Sequence, residues 1–118
     1  MLKDVQDGKY FKVREFRCKC CGVAFVHQSI IDLCDRIREE LGKPIAVTSG
    51  YRCRKHNSAV GGAVRSQHVL GTAADLYPLD RSLLPKLKGI ALRLNADGGV
   101  GLYKSFVHVD TRGYKARW

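Results

Sequence analysis

His68, Asp75 and His108 constrain the fold of this chain more than any other residues. The first two lie in Ser66-Gln67-His68-Val69-Leu70-Gly71-Thr72-Ala73-Ala74-Asp75, and the third in Phe106-Val107-His108-Val109-Asp110, about thirty residues later. Two imidazoles and one carboxylate make a three-ligand zinc set that leaves a fourth position for water, which suits a hydrolytic metal rather than a structural one. A fold that uses them must carry the later segment back across the earlier one.

Strand geometry says how. Side chains alternate between the faces of a strand, so Phe106, His108 and Asp110 share one face while Val107 and Val109 share the other. The valines belong to a core, and the polar face to a cleft. By the same rule Asp75 shares a face with Ala73 and Tyr77. Laying that strand beside the strand of His108 joins carboxylate and imidazole, with His68 reaching in from the preceding loop. Gly71, Ala73 and Ala74 are small enough for close backbone packing around such a site.

The remaining elements follow from periodicity and punctuation. Residues 1–26 show no helical period and are expected to form an irregular arm packed across the domain. Ile30, Leu33, Cys34, Ile37 and Leu41 then fall on one face of a helix, with Ser29 as N-cap and Gly42 and Pro44 as the stop. Ile45 to Thr48 reads as a short strand, and Cys53 to Gln67 as loop with room for one helical turn. Ala73 to Tyr77 is the next strand, ended by Pro78. Asp80 caps a second helix along Leu83, Leu84, Leu87, Ala91 and Leu94, with Pro85 tolerated in the first turn. Two strands near Val100–Tyr103 and Phe106–Thr111 are joined at Lys104-Ser105 as a hairpin. The expected class is α+β, a small mainly antiparallel sheet with helices packed on one face. A chain of 118 residues, 45% hydrophobic, suffices for one domain, 1–118, with a modest core.

Four motifs in order carry a resemblance. S-x-H-x-x-G-x-A-x-D at 66–75 and V-H-V-D at 107–110 are joined by Thr48-Ser49-Gly50-Tyr51-Arg52 and Gly99-Val100-Gly101-Leu102-Tyr103. Together they resemble the zinc D-Ala-D-Ala carboxypeptidase family, related to the Hedgehog domain, over roughly Phe11 to Trp118. The compact phage and prophage peptidases and the murein endopeptidases are its most similar branch. The resemblance implies a Hedgehog/DD-peptidase-like fold and Zn2+ held by His68, Asp75 and His108. It also implies hydrolysis of a peptide bond in peptidoglycan by zinc-activated water. Arg52, in the S-G-Y-R match, would grip a substrate carboxylate with its planar fork. Tyr51, Ser66 and Tyr103 would line the cleft. In many relatives a carboxylate three residues before the last ligand acts as base, but Ser105 stands there and cannot. Asp110 is the nearest carboxylate by strand geometry. It is assigned either the base role or that of orienting a partner, the alternative being a simple ion pair with Arg112 or Arg52.

Charge and cysteines leave two competing readings. Lys plus Arg number 21 against 11 Asp plus Glu, a net +10 that favours a polyanionic neighbour such as cell-wall polymers. The basic residues run from Lys3 to Arg117 without clustering, and aromatics are sparse, so nucleic acid is not the expected partner. Cys34 sits on the helix stripe as a small hydrophobe. Cys18, Cys20, Cys21 and Cys53 are candidates for a structural zinc or for a disulfide such as Cys18 or Cys20 to Cys53. Against the zinc, the C-x-C-C run does not read as a C-x2-C knuckle. His27 and His56 match no ligand position. The competing readings are a catalytically silent zinc domain that binds wall peptide or a protein, and a basic nucleic-acid-binding protein with a cysteine zinc knuckle.

No apolar run approaches the ~20 residues that span a bilayer. Met1-Leu2-Lys3-Asp4-Val5 has no apolar h-region, so no secretory signal is expected there. Action in the cell wall or periplasm would then depend on membrane lesions during lysis, carriage on a phage particle, or a further upstream segment. A monomer acting on stem peptides is expected.

Overall fold

The computed structural model describes residues 5–118. The expected absence of a signal and the first four residues of the arm fall outside them. The elements are α1 (Gln28–Leu41), β1 (Ile45–Ser49), α2 (Arg54–Ala59), β2 (Ala73–Pro78), α3 (Leu84–Leu94), β3 (Gly99–Leu102), β4 (Val107–Asp110) and β5 (Ala116–Arg117), with 3-10 turns at Val13–Phe16 and Arg81–Leu83. The strands form one sheet in the order β1-β2-β4-β3-β5. All its pairs are antiparallel except β3 with β5. The class is α+β, as the periodicity indicates.

α1 buries Ile30, Leu33, Cys34, Ile37 and Leu41, the stripe read from the sequence, together with Ile31. Gly42 ends it at φ +72°, a left-handed position that costs glycine nothing. Ser29 is not the cap. The helix begins one residue earlier behind His27, whose N–H donates to the Gly71 carbonyl, while the Ser29 hydroxyl meets that of Thr111 at 2.9 Å. Asp80 caps the 3-10 turn that feeds α3, accepting the Ser82 N–H at 3.0 Å, and Pro85 falls in the first turn of α3. α3 packs on α1 and across β2, β3 and β4. Leu87, Ile90 and Ala91 thereby meet Ala74, Leu76, Val100, Val107 and Val109 in the core.

The segment after Cys53 forms a fuller helix than the single turn expected, and β5 has no counterpart in the sequence reading. The hairpin does close on Lys104-Ser105, with the Tyr103 N–H donating to the Phe106 carbonyl at 3.1 Å.

The arm, irregular apart from its 3-10 turn, packs against the helical layer through Phe11 and Phe16, both buried. Asp35 on α1 pins it, accepting the N–H groups of Lys9, Tyr10 and Phe11 at 2.7, 3.0 and 3.2 Å. Because the carboxylate is only half-buried and water can replace part of this grip, Asp35→Ala is expected to cost about 1 kcal/mol in urea unfolding. Faster proteolysis within residues 5–12 should accompany it.

Candidate metal centre

β2 and β4 make the floor of the site. Their register sets Asp75 opposite His108, with Ala74 against Val109 and Leu76 against Val107. The apolar partners fill the core side, so Asp75, His108 and Asp110 emerge on the opposite face. His68 comes from the loop before β2. That loop is tied back by the Arg52 N–H donating to the His68 carbonyl at 3.1 Å. Gly71 turns the chain at φ +76°, under the Phe25 carbonyl, where a Cβ would collide with that oxygen.

The donor atoms converge. Asp75 Oδ1 lies 3.2 Å from His68 Nε2 and 3.0 Å from His108 Nδ1. The other nitrogen of each ring is held from behind. His68 Nδ1 donates to the Gly50 carbonyl at 2.7 Å, which leaves the Nε2 lone pair facing inward. His108 Nε2 lies 2.7 Å from Asp110 Oδ2, so a proton kept there frees Nδ1. Metal-ligating histidines are oriented in this way. Two inward nitrogens and a carboxylate oxygen, all buried and mutually within 4.8 Å, fit a zinc ion by donor chemistry and by direction.

The charges are consistent with that. Burial pushes the Asp75 carboxyl up, but hydrogen bonds from His108 and His68 outweigh it and hold the group at about 2. Burial pulls His108 down, yet Asp110 and Asp75 on its two nitrogens leave it raised above 6.5. For Asp110, burial is again opposed, by His108 and Arg112, and the carboxyl is driven well below the ordinary carboxylate range.

Asp110 is fully buried behind His108. Arg112 grips it through Nε at 2.8 Å and Nη2 at 2.9 Å, and the Gly99 N–H donates to Oδ1 at 3.2 Å. It does not line the cleft, so the base role expected as one alternative has no geometry. Both of its oxygens are occupied by the ion pair and by His108, which matches the orienting alternative.

A cleft of about 580 Å³ opens over the three donors, walled by Arg52, Ser66, Tyr103 and three residues the sequence reading did not single out, Arg65, Arg112 and Trp118. Arg52 is braced from below, donating to Ser49 Oγ at 3.0 Å, Asn57 Oδ1 at 3.3 Å and Asp75 Oδ2 at 3.4 Å. Ser66 Oγ accepts the His68 N–H at 3.2 Å. Tyr103 stacks on Phe106 and accepts a hydrogen bond from Trp118 Nε1 at 2.8 Å. Tyr51 is a correction. Its N–H donates to the Phe16 carbonyl and its ring lies edge-on to Phe25, on the opposite side of the loop from Arg52 and outside the cleft lining.

Trp118 reaches the site because β5 pairs with β3, setting the indole 5.0 Å from the His108 ring. A Cβ on Gly101, which faces His108 across β3 and β4, would strike that indole at 2.5 Å. A glycine inside a strand is the one sequence signal that a bulky group approaches there.

No curated protein matches the chain. A family model described as Peptidase M15 matches residues 9–110. That span begins in the arm, takes in Arg52 and the His68 loop, and ends on Asp110, so it covers all three converging donors and the carboxylate behind them. With most of its length and the whole floor of its site inside that match, the chain belongs to the peptidase M15 family.

Proposed function

We propose that the chain is a zinc-dependent peptidase that hydrolyses a peptide bond in peptidoglycan, as a D,D- or L,D-carboxypeptidase or endopeptidase. The observation that carries this reading is the convergence of His68 Nε2, Asp75 Oδ1 and His108 Nδ1 beneath an arginine-walled cleft. These three residues would hold the metal. When bound, zinc supplies Lewis-acid polarisation of a carbonyl and a nucleophilic water near neutral pH.

The chain's own groups do the rest. Arg52, its fork braced by Ser49 and Asn57, presents positive charge to the carboxylate of a stem peptide, and Ser66 and Tyr103 flank the path of that peptide. Asp110 keeps the proton of His108 on Nε2. Every one of these groups comes from one chain, so a monomer is sufficient. The +10 charge holds the protein near anionic wall polymers, and action lies in the wall or periplasm, reached during lysis or on a particle.

One observation favours a second reading. Asp75 is the only carboxylate among the described residues that line the cleft, and it is a metal donor, so no free carboxylate stands ready to take a proton. A zinc domain that binds wall peptide without turnover meets that condition. Digestion of purified peptidoglycan and defined muropeptides, with products identified by mass, separates the two. Free D-alanine, a stem fragment or an uncrosslinked monomer is expected from the wild type. Bound zinc and bound stem peptide with no product would establish the silent domain instead.

The metal-free site also has a pH signature. His108, raised above 6.5 between two carboxylates, must lose its added proton before Nδ1 can bind a metal. Zinc affinity at this centre should therefore weaken about tenfold per pH unit below the raised His108 value and level off above it. Competition with a chromophoric chelator across the weakly acidic to neutral range measures it. A flat profile would show that the imidazole is already neutral.

A further inference from the structure

We infer that Cys18, Cys21 and Cys53, with Cys20 as the fourth thiol in reach, form a second metal site, a structural thiolate zinc that clips the N-terminal arm to the loop carrying Arg52. The sulfurs of Cys18, Cys21 and Cys53 all lie within 4.8 Å of one another. Thiolates on a tetrahedral zinc at ~2.3 Å would stand about 3.8 Å apart, so small side-chain rotations suffice. The thiol of Cys20 is in hydrogen-bond contact with that of Cys53.

Counted from Cys18 to Cys21, the C-x-C-C run contains a C-x2-C pair, the spacing of thiolate zinc turns, which the adjacent Cys20 disguises. The backbone is folded for it. Cys18 N–H donates to the Val23 carbonyl at 2.7 Å, Gly22 N–H to the Cys18 carbonyl at 2.8 Å, and Gly22 takes φ +77° to close the turn. Amides aim at the sulfurs as well. Cys53 N–H donates to Cys18 Sγ at 3.4 Å, His56 N–H to Cys53 Sγ at 3.4 Å, and the N–H groups of Cys20 and Cys21 also reach Cys18.

Packing does not account for this cluster. Cys20 and Cys21 are exposed and Cys53 is half-buried, so the thiols gain little as small hydrophobes, in contrast to Cys34 inside α1. A disulfide would use two of the four and leave the others without a role. A metal uses all of them.

Its place in the fold gives it a purpose. Cys53 directly follows Arg52, and the same loop supplies the Gly50 carbonyl that holds His68. Gly50 and Tyr51 press on the backbone of Phe16 in the arm, two residues before Cys18. A zinc at the cysteines would stiffen the wall of the cleft from behind, independently of the His68 centre.

The test is metal analysis of the full chain, purified reduced and loaded with zinc, and then with cobalt. Two zinc ions per chain are expected, one for each donor cluster, with Cys18→Ser reduced to one and His68→Ala also reduced to one. Cobalt loading should give near-ultraviolet thiolate-to-metal charge-transfer absorption in the wild type and in His68→Ala. Because Cys18 is buried and its variant can misfold, Cys21→Ser at an exposed position and chelator-dependent alkylation of wild-type cysteines provide the same readout. A single zinc lost only in His68→Ala, no thiolate band, or an intact mass two hydrogens short with no second metal, the mark of a disulfide, would each overturn the inference.

Discussion

His68→Ala is expected to empty the His–Asp–His centre and lower muropeptide hydrolysis at least ~10³-fold, since loss even of a group that only orients a ligand costs 10–100-fold. His68 is 3% exposed and holds one of three donor atoms, with its Nδ1 proton committed to Gly50 and no other side chain able to turn in as a replacement. Alanine leaves Asp75 and His108 paired at 3.0 Å, a two-donor site in which the raised His108 keeps its proton and resists the metal. The fold should survive, because His68 sits on a loop outside the apolar cluster. Far-ultraviolet circular dichroism checks that, while metal content and product mass report the effect. Zinc at the wild-type level with turnover within a few-fold of wild type would mean that His68 is not a ligand.

Much of this site was legible in the chain because it depends on strand alternation. A period of two in Phe106–Asp110 separates valines from polar groups with no knowledge of the neighbouring strand, and the same period in Ala73–Tyr77 sets Asp75 on the face that meets His108. The stripe of α1 was legible for the same local reason, and the motifs pointed to the family. Less legible was whatever depends on distant backbone. Asp35 holds the arm through three amides, contacts that leave no period in either segment. β5 is two residues long, below the length at which alternation can be detected, yet it delivers Trp118 to the cleft. Tyr51 and Arg52 are neighbours in a turn with no regular period, so residue type alone could not say that only one faces the substrate side. The cysteine spacing was present in the sequence throughout, but its meaning appears only when Cys53 arrives from beyond β1.

Asp110 shows the limit of reading a face without its depth. It shares a face with His108, as alternation requires, but Gly99 on β3 lets the carboxylate sink where any Cβ would collide with it, and Arg112 closes over the top. From there it can hold His108 and cannot reach a water above the metal. Asp110→Asn is therefore expected to weaken zinc binding at the His–Asp–His centre about 10–100-fold, and turnover at limiting zinc should fall with it. The amide keeps the volume but loses the charge that fixes the His108 proton on Nε2, and it leaves Arg112 without its ion-pair partner. Saturating zinc should restore most of the turnover, since the cleft and its remaining donors are unchanged. A catalytic base would give the opposite pattern, full zinc occupancy with turnover lost at every zinc concentration. Zinc titration of the variant followed by assay at each point distinguishes the two, and the gripped, cleft-remote position of the carboxylate favours the first.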